Sequence, residues 1–329
     1  MIRTLLFSTL YPNSVRPSHG IFVETRLRHL LASGAVETRV VAPVPWFPFR
    51  HPRFGEYAKH AAVPHYEERN GIKVEHPRYL VLPKIGMSST PYTLARTGLT
   101  AAKELIASGY DFDLIDAHYF YPDGVAATMI GKALNKPVVI TARGTDINLI
   151  PQYDKPRQMI LQAARVCAAM ITVSAALKDA IVGLGGTAQK ITVLRNGVDL
   201  ELFRPEDRQQ AKAGFGMNTH FSIASVGHLV ERKGHHLVLE AMPQLPDAEL
   251  YIAGAGEENA RLRALAARLG VVNRVHFLGA MPQAKLRMLY SAADCLVLAS
   301  SREGWANVLL EAMACGTPVV ATNVWGTPE

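Results

Sequence analysis

The residues best placed to do chemistry in this 329-residue chain lie between Glu303 and Thr322. The run EGWANVLLEAMACGTPVVAT puts Glu303 and Gly304 in a short loop after a strand ending near Ala299, and Glu311 on the helix that follows. A helix N-terminus presents unpaired backbone N–H groups and the positive end of a dipole, which suits a pyrophosphate. Gly304 removes a side chain where backbone and ligand must come close. On an extended helix the two carboxylates would stand about 80° apart. They could then reach opposite ends of one elongated ligand, one on each side of a diphosphate. Carboxylates accept hydrogen bonds from paired hydroxyls, which ribose and hexoses supply.

Other chemistries are excluded by what the sequence lacks. The three cysteines, Cys167, Cys295 and Cys315, are sparse and odd in number. They read as buried thiols in a reducing compartment and not as a disulfide framework. No pair of Cys or His has ligand spacing with a matching second pair, and the adjacent His235 and His236 cannot face one another on a helix. Gly254-Ala255-Gly256 follows a strand but lacks the third glycine of a dinucleotide fingerprint, which argues against a nicotinamide dehydrogenase.

The elements that must position these residues alternate between short apolar runs and helical-length segments, the pattern of parallel α/β construction. Strands are expected near 2–8, 38–43, 72–76, 113–117, 137–142, 169–173 and 191–194, with helices near 20–33, 92–108, 123–134, 155–167 and 175–184. A second series has strands near 221–227, 248–253, 274–278, 294–298 and 318–322, and helices near 235–243, 257–269, 283–291 and 305–315. The polar stretch Arg204-Pro205-Glu206-Asp207 divides them. The expected domains are 1–203 and 204–329, two doubly wound Rossmann-like sheets facing across a crevice where ligands bind. Segment 43–70, rich in Pro, His, Arg and aromatics, is expected as a long functional loop. No apolar run approaches the ~18 residues of a membrane span, and Ile2–Leu10 reads as a core strand, not a signal peptide. The net charge of +7 falls entirely in residues 1–110. That asymmetry points to an anionic partner, such as a membrane surface or a phosphorylated acceptor; a basic solvated face is the alternative.

Several stretches together resemble one family. Glu303 followed by seven residues and Glu311, then AMACGTPVVAT, is similar to the donor signature of family 4 retaining glycosyltransferases, also called glycosyl transferases group 1. VGHLVERKG (226–234) resembles its phosphate-binding loop, and RNGVD (195–199) with Phe203 and Pro205 resembles its interdomain segment. Asp116-Ala117-His118 and TARGTD (141–146) resemble its N-domain active-site loops. The resemblance covers most of the chain. It implies a GT-B fold and a cytoplasmic, metal-independent enzyme of polysaccharide or cell-envelope biosynthesis. Such an enzyme moves a sugar from a nucleotide diphosphate sugar to a lipid-linked or glycan acceptor, with retention, no cofactor and no nucleic acid, and can sit peripherally on the cytoplasmic membrane face. Glu311 would bind the ribose hydroxyls and Glu303 the transferred sugar. The backbone of Gly304, Trp305, Ala306, Asn307 and Val308 would surround the donor. Lys233, helped by Arg232, would neutralise the leaving diphosphate beside Gly227 and His228. His118 would stand beside the anomeric carbon, Gly20 would admit the diphosphate or acceptor, and Arg143 and Asp146 would complete the donor contacts.

Each residue also has a plainer reading. Glu311 could be a solvated helix carboxylate, Glu303 a partner of the helix dipole, and Lys233 the polar start of a helix. His118 could be a core histidine bonded to a carbonyl, and Asp146 a cap of the following turn. The sequence departs from the family at His228, where an arginine is usual, at Arg143, where a histidine is more common, and at His19 before Gly20. The chain stops at Pro328-Glu329, where the family continues, so a C-terminally truncated second domain is expected. The rival functions are a non-catalytic nucleotide-sugar-binding protein and a nucleotide-sugar epimerase on the same fold.

Overall fold

The computed structural model describes residues 1–81, 86–217 and 221–329. Lys84, one of the cations in the basic first 110 residues, lies outside the described residues. The chain divides into two units, Met1–Leu194 and Arg195–Glu329.

Unit 1 runs β1 (Ile2–Phe7), α1 (Ile21–Ala32), β2 (Val36–Val41), β3 (Val44–Pro45), α2 (Glu56–Ala62), β4 (Tyr66–Arg69), β5 (Ile72–Glu75), β6 (Arg78–Tyr79), α3 (Thr90–Ala107), β7 (Leu114–His118), α4 (Val125–Leu134), β8 (Val138–Ala142), α5 (Thr145–Asn148), α6 (Asp154–Val166), β9 (Ala169–Thr172), α7 (Ala175–Gly183) and β10 (Ile191–Val193). Its main sheet has the order β10-β9-β8-β7-β1-β2-β5-β4, parallel except for the β4–β5 pair. Leu5, Leu6 and Phe7 of β1 are all buried, as a strand covered on both faces requires. On one face α1 packs Val23 and Leu27 against Leu6, Val40 and Val74.

Unit 2 runs α8 (Arg208–Gly214), β11 (Phe221–Val226), α9 (His235–Ala241), β12 (Ala248–Ala253), α10 (Asn259–Arg268), β13 (Val275–Gly279), α11 (Gln283–Ala292), β14 (Cys295–Leu298), α12 (Asn307–Ala314) and β15 (Val319–Ala321). Its sheet has the order β13-β12-β11-β14-β15 and every pair is parallel. Two apolar clusters sandwich it, one built on Leu239, Leu250 and Leu262, the other on Tyr251, Leu289 and Leu296.

In both sheets the first strand is central. β1 lies between β2 and β7, and β11 between β12 and β14. The winding direction reverses there, so the loops leaving β1 and β7, and those leaving β11 and β14, diverge and leave room for a ligand at the strand ends.

Two differences from the sequence reading have physical causes. Segment 43–70, expected as a loop, contains β3, α2 and β4. The boundary between units falls at residue 194 and not near 204, because Val198, Leu202 and Phe203 pack into the unit 2 core. At one edge of the unit 2 sheet, β15 pairs in register with β14 (Leu296 with Val319, Leu298 with Ala321).

Candidate active site

In unit 2 the loop after β11 carries Gly227, His228, Arg232 and Lys233, and the loop after β14 carries Glu303 and Gly304. Gly234 makes their approach possible. It sits at φ 68°, and a Cβ there would lie 1.9 Å from the Ala299 carbonyl oxygen. The loops are then joined by the Ser301 N–H, which donates to the Arg232 carbonyl at 2.9 Å. This places Lys233 Nζ 2.5 Å from Glu303 Oε1, and Ser300 Oγ donates to the same oxygen at 2.7 Å. Both charged side chains are largely buried, with 13% and 7% exposed. At Gly227 a Cβ would stand 3.6 Å from the Lys233 chain. His228 is exposed.

Glu303 and Glu311 do not share a helix, which corrects the angular relation expected between them. α12 begins at Asn307, and Ala306 before it has φ −92° and ψ 83°, so Glu303 belongs to the loop. Among the described residues no side chain caps α12, which leaves the N–H groups of its first turn for other acceptors. Gly304 and Ala306 are buried, and Val308 packs on the core. Asn307 Oδ1 accepts from Asn196 Nδ2 at 3.1 Å, and the Arg195 guanidinium lies 6.0 Å from the Trp305 ring centre. One turn on, Glu311 faces α11, where the Tyr290 hydroxyl donates to its Oε2 at 2.9 Å. Burial raises the Glu311 carboxyl and the Tyr290 bond opposes that rise.

Unit 1 builds a second cluster at the ends of β7 and β8. Arg143 Nη2 lies 2.6 Å from His118 Nδ1, and His118 Nε2 lies 3.2 Å from Asp116 Oδ2. A guanidinium only donates, and Arg26 Nη1 also stands 3.2 Å from Nε2; the much shorter Arg143 contact makes Nδ1 the acceptor. The ring is therefore neutral, and its proton sits on Nε2, donated to Asp116. Burial and the nearby Arg143 agree with this, holding the imidazole down at about 4 against the pull of Asp116. Burial would raise Asp116, but His118, Arg26 and Arg143 outweigh it and hold the carboxyl at about 2. Arg26 Nη1 stands 3.7 Å from Asp116 Oδ2. The Arg143 guanidinium lies 5.2 Å from the Phe22 ring centre; burial and then Arg26 lower its pKa to about 9.

Two expected donor contacts are placed otherwise. The Asp146 carboxylate is fully buried and accepts from the backbone N–H groups of Phe120 (2.6 Å), Gly144 (2.7 Å) and Arg143 (3.1 Å). Its lone pairs are spent on holding the loop after β8 against the residues after β7. Gly20, at φ 67°, starts α1, and a Cβ there would lie 2.4 Å from the Leu10 carbonyl. Its close approach is to the chain's own backbone.

Sequence reasoning passed over Asp123, Arg26, Ser300 and Tyr290. Asp123 accepts from the Thr9 N–H at 2.8 Å and from Thr9 Oγ1 at 3.0 Å, which ties the loop after β1 to the one after β7. Burial pushes its carboxyl up to about 7 against the hydrogen bonds of Thr9 and Ser8. Among the described residues, no three His, Cys, Asp or Glu are grouped to hold a metal ion, and no helix is long and apolar enough to cross a membrane.

Two Rossmann-like units, each with its polar cluster at the reversal of strand order, give the chain the GT-B fold. The chain belongs to glycosyltransferase family 4: residues 23–202 match the family described as "Glycosyltransferase Family 4", and 207–329 match "Glycosyl transferases group 1". It is 29% identical over 99% of its length to the "Putative teichuronic acid biosynthesis glycosyltransferase TuaC" of Bacillus subtilis, and covers 82% of that protein. A D-inositol 3-phosphate glycosyltransferase of Mycobacteroides abscessus is 30% identical over 70% of this chain and 55% of that one. The fold is similar to sucrose-phosphate synthase from Thermosynechococcus elongatus (TM-score 0.77, 19% identity, 99% of this chain and 82% of that one). It is also similar to Anabaena HepE in complex with UDP and glucose (TM-score 0.73, 22% identity, 100% and 82%).

Proposed function

We propose that this glycosyltransferase moves a sugar from a nucleoside diphosphate sugar to a hydroxyl of a lipid-linked or polysaccharide acceptor, without a metal and with retention at the anomeric carbon. The observation that carries this reading is the buried Lys233–Glu303 pair, 2.5 Å apart at the reversal of strand order in unit 2. Departure of a nucleoside diphosphate builds negative charge, and a fixed cation with helix N–H groups stabilises it. Lys233 would serve as that cation, with Arg232 beside it, and the uncapped start of α12 would supply the N–H groups. Glu303, released from Lys233, would accept hydrogen bonds from the transferred sugar, and Glu311 from the ribose. The His118 lone pair on Nδ1 is engaged by Arg143, so the leaving phosphate itself would take the acceptor's proton. HepE, a structural neighbour, was crystallised with UDP-glucose, and the name of the Bacillus subtilis relative places that protein in teichuronic acid biosynthesis. The first supports a nucleotide-sugar donor and the second a cell-envelope polysaccharide product. The basic unit 1 suits work at the cytoplasmic membrane face.

The test is turnover with a panel of nucleotide sugars and lipid-linked acceptors. Lys233→Ala should lower kcat/KM by about 10²–10³, and Glu303→Ala should lower kcat more than it weakens donor binding. The product anomer should match the donor's, and excess EDTA should leave the rate unchanged. Wild-type rates in Lys233→Ala would remove the site; an inverted product or a loss of rate in EDTA would remove retention or metal independence.

A further inference from the structure

Tyr290 lies near the end of α11 and is completely buried. Its ring packs 6.2 Å from that of Phe203, and its carbonyl accepts the Thr317 hydroxyl. A phenol in such surroundings needs an acceptor, and here the acceptor is Glu311 Oε2, at 2.9 Å. The bond has a direction. Glu311, with its pKa raised by burial, is best kept ionised by a donor that cannot itself compete for the proton, and burial holds the Tyr290 phenol well above its usual range.

A glutamate has three rotatable side-chain bonds, and a partner on one oxygen fixes the plane of the carboxylate and the direction of the other. The two hydroxyls of a ribose sit on adjacent carbons, so the carboxylate must meet them in one orientation to accept from both. We infer that Tyr290 is a positioning residue for donor recognition, holding Glu311 by Oε2 so that the carboxylate is set to read a vicinal diol. This rests on the reading of Glu311 as the ribose contact. It assigns the ribose selectivity of the site to a pair of residues on α11 and α12 and not to Glu311 alone.

The experiment compares binding of UDP, and of ADP and GDP if UDP is silent, with the 2′-deoxy and 3′-deoxy forms of the same nucleotide. Calorimetry is run on the full chain, wild type and variant. Wild type should prefer the ribonucleotide, and Glu311→Ala should remove the preference. Tyr290→Phe keeps the ring and should reduce the preference by about tenfold, the scale of one hydrogen bond to a charged group, with the deoxynucleotide affinity little changed. If Glu311→Ala removes the preference and Tyr290→Phe keeps it, the positioning role is overturned while the ribose contact stands. If Glu311→Ala keeps the preference, the ribose reading itself fails. Should Tyr290→Phe not fold, the double variant Tyr290→Phe with Glu311→Leu decides. Restored folding shows that the hydroxyl is there for Glu311 and supports the pair; no restoration shows that the hydroxyl serves the core and overturns the proposal.

Discussion

At the scale of single residues, the chemistry depends on which groups hold their protons. His118 is fixed between a donor, Arg143, and an acceptor, Asp116, so its neutral form has one tautomer. Its pKa of about 4 in the fold lies below the ~6.5 of an unfolded chain. Between those values the unfolded state binds more protons. This histidine's contribution to stability is therefore present above ~pH 6.5 and lost as the pH falls towards 4. Nitrogen-15 NMR of the ring should show a protonated Nε2 and an unprotonated Nδ1, unchanged from pH 8 to pH 5. A ring that titrates near 6.5 would show that the Arg143 contact does not hold in solution. None of this was legible from Asp116-Ala117-His118 in the sequence. It depends on Arg26 and Arg143, which are remote in the chain and meet only where α1 and β8 pass β7.

At the scale of elements, the unit 2 cluster exists because two loops touch at Gly234. Gly234→Ala would set a methyl against a backbone carbonyl that cannot rotate away, at a cost of roughly 3–5 kcal/mol. Gly270→Ala has the same positive φ (71°) but open space around it, and should cost only about 1–2 kcal/mol. Thermal unfolding of the two variants checks the contrast; equal shifts would mean that the β11 and β14 loops are not packed this way. The main parallel strands and helices were legible because their apolar periods are long and regular, as in Ile2–Phe7 and Thr90–Ala107. Inside segment 43–70 the aromatics and prolines hid that period. The signal that was present went unread: Asn70-Gly71, at φ 51° and 76°, makes the two-residue turn joining β4 to β5. Of the site, the motif positions were legible, but their roles were less so. Asp146 looked like a ligand contact because its spacing says nothing of the three backbone N–H groups that occupy it. Glu303 was legible as a loop residue ahead of the helix that carries Glu311, but its contact with Lys233 was not, because the two lie 70 residues apart.

At the scale of the whole molecule, charge and exposed aromatics are unevenly divided. Unit 1 holds 22 Lys and Arg against 14 Asp and Glu, and unit 2 holds 13 against 14. In unit 1, Trp46, Phe49 and Tyr57 are each about half exposed, and the Arg53 guanidinium lies 4.7 Å from the Phe54 ring centre. Cations and amphipathic rings together suit an anionic interface, at about 1 kcal/mol per basic residue near the surface. The chain should sediment with phosphatidylglycerol vesicles at low salt and be released at high salt; recovery in the supernatant at low salt would remove membrane docking. In unit 2, the Lys233–Glu303 contact carries a consequence for turnover. On the proposed reading Glu303 is a built-in rival for the cation that the diphosphate must reach. Every arriving donor displaces it, and every departing product is replaced by it. Inorganic phosphate and nucleoside monophosphates, with less charge to offer, lose that contest more often. On that reading the carboxylate that holds the sugar would also speed the release of the spent nucleotide and would keep the site from filling with the small anions of the cell.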